Sequence, residues 1–371
     1  MAKKVSKEKE IDLDNLSLEE LSAKLVLAQE GSDQELVEKL ESKIERSQKL
    51  SKRKEKIQKK FNTLGAYKVK TKFEEVRYKS QDWIDMSPAF KEVTCLPGIP
   101  TGHVIMNYGK SDTGKSTMAL EAAGYAQTQG ILPVFIITEK KFSYERAEKM
   151  GVDFSNVLMY NGIDTIEQGI EIVDKVLIDQ EKGDLAFDVL FIWDSMGATP
   201  SKREYEAAQN NDGKNGGMMV TAKVLREKIN RYIGLKINNT RKENFPYTST
   251  LFIVNQAYTA PPAMPSGPPS LIPYGGDAIY YAATLIFRQG GVIGRASKII
   301  AQKNGKKVGF ALKSKLIVEK NHITNVTAQG EILCTDHGFL LNDKDSIAAY
   351  KEEFASDWDL EYDELWKMDI K

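Results

Sequence analysis

Eight consecutive residues, Gly109-Lys110-Ser111-Asp112-Thr113-Gly114-Lys115-Ser116, constrain the fold of this chain more than any other feature. They follow an apolar stretch, His103 to Tyr108, and lead through Thr117 into a run that favours helix, with Ala119, Leu120, Ala122, Ala123 and Ala126. A strand handed to a helix across a turn of the form GxxxxGKS is a phosphate-binding unit. Its glycines let successive backbone N–H groups turn inward around phosphate oxygens, and the helix N-terminus adds a positive dipole. On this reading Gly109 to Thr117 cradle a nucleoside triphosphate, Lys115 reaches the β- and γ-phosphates, and the Ser116 hydroxyl coordinates Mg²⁺.

From about Ser80 to Asn325 short apolar runs alternate with helical stretches. The runs are His103 to Tyr108, Pro133 to Thr138, Asp188 to Asp194, Ser249 to Gln256, Thr284 to Arg288 and Lys315 to Glu319, rich in Val, Ile, Leu and Phe. Strands buried on both faces read this way, so the fold class expected is α/β, a mostly parallel twisted sheet covered by helices. The ends differ from this core. The first sixty residues contain one glycine, Gly31, and no proline, and Ser17 with Glu20 and Ser32 with Glu35 form capping-box patterns. Leu21, Leu25 and Ala28, then Leu36, Leu40 and Ile44, recur at helical spacing, which predicts two helices turning at Gly31. Lys43 to Lys60 is strongly basic: either a solvated helix face or an arm that contacts phosphates or docks subunits. Beyond Asn325 the chain turns acidic, with Phe354, Trp358, Tyr362 and Trp366 four residues apart on one prospective helix face. The expected division is a helical basic arm (1–79), an α/β core (80–325) and an acidic C-terminal region (326–371).

Lys plus Arg and Asp plus Glu each number 52 among 371 residues, so attraction to a polyanion must come from local patches. Cys95 and Cys334 are far apart and lack metal-ligand spacing, which argues against a disulfide scaffold or zinc site and fits a reducing cytosol. No apolar run approaches the roughly 18 residues of a membrane span, and MAKKVSKEKEIDLD has no apolar leader core. A soluble, cytoplasmic protein without membrane contact is expected.

A phosphate loop also needs a carboxylate at the end of a second buried strand to hold the metal's water shell, and Asp194 ends Val189-Leu190-Phe191-Ile192-Trp193. Glu139, at the C-terminal end of Pro133 to Thr138, stands where open α/β sheets place their ligands. It is a candidate base for hydrolysis or, more plainly, an exposed strand-end carboxylate. Gln256 ends Ser249 to Gln256 with an amide able to donate to a γ-phosphate oxygen. Ala257 to Pro273 then reads as a long loop with six prolines, closed by Tyr274-Gly275-Gly276, and Ser201 to Gly217 as a second polar, flexible stretch. Both loops leave strands that carry site residues, so bound nucleotide could order them.

This combination resembles the bacterial RecA and phage UvsX class of homologous recombinases over roughly Ser80 to Asn325. The resemblance rests on GKSDTGKST (Gly109 to Thr117), FIITE ending at Glu139, AEKMGVD (Ala147 to Asp153), FIWDSMGATPSK (Phe191 to Lys202), FIVNQ ending at Gln256 and YGGDA (Tyr274 to Ala278). It implies that Glu139 activates the attacking water, that Asp194 holds Mg²⁺ through water, and that Gln256 senses the γ-phosphate. Ser201 to Gly217 would be a first DNA-binding loop, with contacts from Lys202, Arg203 and Lys214. Tyr258 and Met264, with Gly275 and Gly276, would serve a second. The resemblance also implies an ATP site between subunits, reached by Lys320 of a neighbour; His322 stands where that class has a second Lys or Arg. Arg146 occupies the position of a base-stacking aromatic and would stack by its guanidinium plane or leave Tyr144 to do so.

What the resemblance implies, then, is a DNA-dependent ATPase using ATP and Mg²⁺. It would form helical filaments on single-stranded DNA, pair them with duplex DNA, and work with single-strand-binding and loader proteins. The alternative is a hexameric motor on the same core, such as a replicative helicase.

Overall fold

The computed structural model describes residues 18–30, 34, 36–37, 39–42, 44, 82–139, 141–210, 218–237, 247–260, 270–290, 298–303 and 306–354. The chain divides into two compact units, Met1–Lys79 and Ser80–Lys371. In the first, helix α1 spans Leu18–Glu30. Leu21, Ala28 and Leu40 are buried together with Leu25, Leu36, Val37 and Ile44 packed against them, the positions that recur at helical spacing. The turn at Gly31 and, Ile44 apart, the basic run Lys43 to Lys60 lie outside the described residues.

The second unit is built on an eleven-stranded sheet. A hairpin-like pair, β1 (Trp83–Asp85) and β2 (Gly98–Pro100), precedes it and brackets α2 (Pro88–Thr94). The chain then runs through β3 (Val104–Gly109), α3 (Lys115–Thr128), β4 (Leu132–Ile137), α4 (Tyr144–Lys149), β5 (Leu158–Asn161), α5 (Ile166–Lys182) and β6 (Val189–Asp194). Next come α6 (Lys202–Gln209), α7 (Met218–Leu225, its helical course continuing to Lys236), β7 (Ser249–Ala260), β8 (Ser270–Pro273), α8 (Asp277–Ala282) and β9 (Leu285–Gly290). The last elements are β10 (Lys298–Lys303), β11 (Lys306–Asn321), β12 (Gln329–Thr335), β13 (Gly338–Leu341) and α9 (Lys344–Glu353). The strand order is β13-β12-β11-β9-β3-β7-β6-β4-β5, with β10 on β11 and β8 on β7. Strands β9, β3, β7, β6, β4 and β5 are parallel, and β11 to β13 extend the sheet antiparallel.

Alternate side chains of each central strand feed opposite layers, as a period of two requires. Ile105, Phe135, Ile192, Phe252 and Phe287 pack with Phe90 of α2 and with Met118, Ala119 and Ala122 of α3. Met106, Ile136, Phe191, Trp193, Ile253 and Ile286 pack with Ile170, Val173 and Leu177 of α5 and with Leu225, Ile229 and Ile233. Small residues along α3 let that helix lie close on the sheet, so the residues at its N-terminus hold a fixed place above the strand ends.

Three expectations need correction. Ala257 to Pro273 is not structureless throughout: β7 runs to Ala260 and pairs antiparallel with β8, Ala257 opposite Pro273 and Ala260 opposite Ser270. Ser201 to Gly217 begins with a helix, because the Ser201 side chain accepts from the Glu204 backbone N–H while the Glu204 carboxylate accepts from the Ser201 N–H, a capping box within the polar stretch. The run Lys315 to Glu319 is only part of β11, whose preceding residues are too polar and glycine-broken to read as strand. Residues after Asn325 contribute β12 and β13 to the same sheet, and Asp343 caps α9 by accepting from the backbones of Asp345 and Ser346. Trp358, Tyr362 and Trp366 lie outside the described residues. Among the described residues no helix is long and apolar enough to cross a membrane.

Phe287 of β9 is wholly buried and meets Phe90 edge to face, ring centroids 5.6 Å apart. Phe287→Ala is expected to lower the unfolding free energy by about 3–5 kcal/mol, measured by denaturant titration.

Candidate nucleotide site

The residues after β3 form a tight loop held from within. The Thr113 hydroxyl donates to the Lys110 carbonyl at 2.9 Å, and the Lys115 ammonium donates to the same carbonyl at 2.5 Å. Asp112 and Gly114 have positive φ, 58° and 92°. At Gly114 the requirement for glycine is twofold: left-handed backbone, and a Cβ that would stand 2.2 Å from the Cys334 Sγ. Cys334, buried, thus packs directly beneath the loop, where burial pushes its thiol up to about 12; Cys95 is exposed, and both cysteines are free.

Above the loop lies a cavity of about 610 Å³, within the size range of small-molecule sites. Residues 111–117 line it with Glu139, Lys141, Arg146, Asp194, Ser195 and Gln256. Ser116 Oγ donates to Asp194 Oδ2 at 2.7 Å. Burial pushes the Asp194 carboxyl up to about 6; the Ser116 hydrogen bond works against this, and the Glu139 charge adds to it. Burial lowers Lys115 from the usual lysine range, opposed by the charges of Asp194, Glu139 and Asp112. Glu139 Oε1 accepts from Gln256 Nε2 at 2.8 Å and from Ser195 Oγ at 2.9 Å. Lys115, Ser116, Asp194, Glu139 and Gln256, read separately from the sequence, therefore share one cavity. Ser195 and Lys141 were not anticipated; serine after a strand-end aspartate is too common to signal a role.

Arg146 also lines the cavity, its guanidinium donating to Thr117 Oγ1 at 2.7 Å and to the Thr335 carbonyl at 3.2 Å, with Asp336 Oδ1 3.5 Å from Nε. Tyr144 is not among the lining residues. It is half-exposed, packs edge-on against Phe142, and accepts from Asn161 Nδ2 at 2.9 Å. Lys320 does not line it either: it pairs with Ile286, which pairs with Met106, three residues short of Gly109. Its ammonium donates to the Tyr280 carbonyl at 2.7 Å, and burial lowers its pKa. The His322 backbone N–H donates to the Thr284 carbonyl at 3.0 Å.

Lys202 and Arg203 open α6, both exposed. Tyr258, also exposed, lies on the β7–β8 ribbon with its ring 5.3 Å from that of Tyr274, and Gly275 and Gly276 make the turn into α8. Lys214 and Met264 lie outside the described residues.

The family model of the RecA N-terminal domain matches residues 48–333. The chain belongs to the RecA family. Its relatives include Protein RecA of Colwellia psychrerythraea, 30% identical over 213 residues, which are 57% of this chain and 56% of that one. Protein RecA of Bacteroides thetaiotaomicron is 29% identical over 216 residues, 56% of this chain and 59% of that one. Protein RecA of Arthrobacter sp. is 38% identical over 111 residues, 30% of each chain. The chain thus spans between 30% and 59% of those relatives' lengths.

Among the described residues no group of three or more His, Cys, Asp or Glu could hold a metal alone. The oxygen pair of Ser116 and Asp194 fits Mg²⁺ all the same, since that ion keeps several waters and takes one or two protein oxygens beside substrate phosphates. The raised Asp194 value carries a pH consequence. The folded state binds this proton more tightly than the unfolded one, so the group costs stability as pH rises from about 4 through about 6, and the cost stays in full above that. Asp194→Asn should therefore melt higher than the native protein by an amount that grows between pH 5 and 7.5. We expect about 1–3 kcal/mol at pH 7 in nucleotide-free thermal melts.

Proposed function

We propose that this chain is an ATP-dependent DNA recombinase that binds ATP with Mg²⁺ at Gly109–Thr117 and assembles on single-stranded DNA. The observation that carries the reading is the hydrogen bond from Gln256 to Glu139 at the cavity. Gln256 belongs to the strand that continues as the β7–β8 ribbon, so the group beside the candidate base is also the root of the candidate DNA loop. Membership of the RecA family and relatives named Protein RecA support the same reading.

Lys115 would neutralise β- and γ-phosphate oxygens, with backbone N–H groups of the loop donating around them. Ser116 and Asp194 would hold Mg²⁺, which would supply further neutralisation of the phosphate charge. Glu139 takes a proton from the attacking water, and Gln256 turns its amide from Glu139 to the γ-phosphate, moving the strand that carries the ribbon. Lys202 and Arg203 of α6, and Tyr258 of the ribbon, are the contacts for DNA, with Lys214 and Met264 beyond the described residues. Arg146, bridging Thr117 and Thr335, stacks on the base edge of the nucleotide, and Lys320 serves a neighbouring subunit's phosphates in a head-to-tail filament, an open heterologous contact. Duplex DNA and single-strand-binding and loader proteins are the further partners this reading names, in the cytoplasm.

ATPase activity is expected to rise at least tenfold with single-stranded DNA, and DNA binding to weaken steeply between about 50 and 200 mM salt. Filaments should appear by electron microscopy with a non-hydrolysable ATP analogue; closed rings would instead support the motor reading. Lys115→Ala should abolish nucleotide-dependent assembly, and Glu139→Gln should bind ATP, lose turnover by about a hundredfold or more, and hold the assembled state.

A further inference from the structure

Both donors to Glu139 converge on one oxygen: Ser195 Oγ at 2.9 Å and Gln256 Nε2 at 2.8 Å meet Oε1. Among the described residues no protein group donates to Oε2. The two donors differ in how firmly they are held. Ser195 is wholly buried; its N–H donates to Thr138 Oγ1 at 3.0 Å, and its carbonyl accepts from Thr138 Oγ1 and Thr199 Oγ1, each at 3.0 Å. Thr138 in turn donates its backbone N–H to the Asp194 carbonyl at 2.9 Å, so the ends of β4 and β6 are clamped on either side of the serine. Gln256, by contrast, surrenders its bond to Glu139 whenever its amide turns to a phosphate oxygen.

A glutamate carboxylate rotates readily about its last torsion, and its two oxygens are chemically equivalent until something distinguishes them. We infer that Ser195 is a positioning residue for hydrolysis: its clamped hydroxyl occupies Oε1 of Glu139 and leaves Oε2 as the atom that receives the water proton. The inference rests on the hydrolytic reading above. In that step the water oxygen bonds to the γ-phosphorus, the bridging P–O bond breaks with its electron pair leaving on ADP, and the water proton passes to Oε2. Once Gln256 has turned away, the serine is what keeps the carboxylate from rotating.

The test measures DNA-stimulated single-turnover hydrolysis and the ATP dissociation constant separately, in the native full-length chain, Ser195→Ala and Thr138→Val. Loss of a hydrogen bond to a charged group predicts a rate about tenfold lower or more for Ser195→Ala. The dissociation constant should stay within about twofold of native, since Ser195 touches the base and not the ligand. Thr138→Val, which loosens the clamp while leaving the hydroxyl in place, should show a smaller loss of the same kind. In a Glu139→Gln background Ser195→Ala should add nothing, because the carboxylate it orients is gone. An unchanged rate, a weakened dissociation constant accounting for the loss, or an equal loss in the Glu139→Gln background would overturn the inference, the last by assigning the serine's effect to Asp194. A native protein that binds ATP without turnover overturns the hydrolytic reading itself, and this inference with it.

Discussion

The parallel register of four neighbouring strands decides where everything else in the site stands. Gly109 of β3 pairs with Gln256 of β7, Val254 of β7 pairs with Asp194 of β6, and Asp194 pairs with Ile137 of β4. Glu139 lies two residues beyond Ile137 and so comes level with Gln256. Each strand therefore delivers its functional group to one edge of the sheet, within two residues of a common level. Since side chains alternate faces, a slip of one residue would turn that strand's group to the other layer and empty its place in the cavity. Wholly buried residues in every one of these strands make such a slip expensive, so the core holds the geometry of the site.

The same edge leads outward to the two segments proposed to meet DNA. Past Gln256, β7 leaves the core and pairs with β8, and the ribbon is tied back where it begins: Tyr274 N–H donates to the Gln256 carbonyl at 2.9 Å and Asn255 Nδ2 to the Tyr274 carbonyl at 2.8 Å. Gly197, between β6 and α6, backs onto this knot so closely that a Cβ there would stand 1.9 Å from Asn255 Oδ1 and 2.9 Å from Tyr274 Cβ. The chain entering α6 and the root of the ribbon thus press on the same asparagine. Asn255, next to Gln256 in the same strand, stands against both segments. That contiguity is what a nucleotide-dependent grip would need, whether or not further routes exist.

Much of this was legible in the residues alone, and unevenly so. The phosphate loop was readable because its requirements are local, a strand, a turn that tolerates positive φ and a helix, all within twenty-odd residues. Asp194, Glu139 and Gln256 were readable because strands buried on both faces are nearly pure apolar runs, against which a terminal polar residue stands out. The helix Lys202–Gln209 was signalled by Ser201 and Glu204 but hidden by the polarity of everything around them. The ribbon was hidden by its prolines, which suggest a loop even where flanking residues pair. Ser195, Cys334 and Thr335 could not have been found at all. Each matters through a neighbour remote in sequence (Glu139, Gly114 and Arg146 respectively), and no periodicity records a contact of that kind.

The electrostatics of the cavity point the same way as its geometry. Burial pushes Asp194 up and Lys115 down, each toward the neutral form, although the two charges attract one another. Attraction between them is thus too weak to make good the hydration both have lost, and the folded protein carries an uncompensated desolvation cost at this edge. A triphosphate with its metal would give each group the opposite charge it lacks. The gain would be made by the folded state alone, since the unfolded chain holds none of these groups together. Binding at a hundred times the dissociation constant would then add about 2.7 kcal/mol to stability by mass action. On the proposed reading, the desolvation of Asp194 and Lys115 is what makes ligand state worth sensing: an edge already satisfied by its own side chains would have little reason to rearrange when nucleotide arrives.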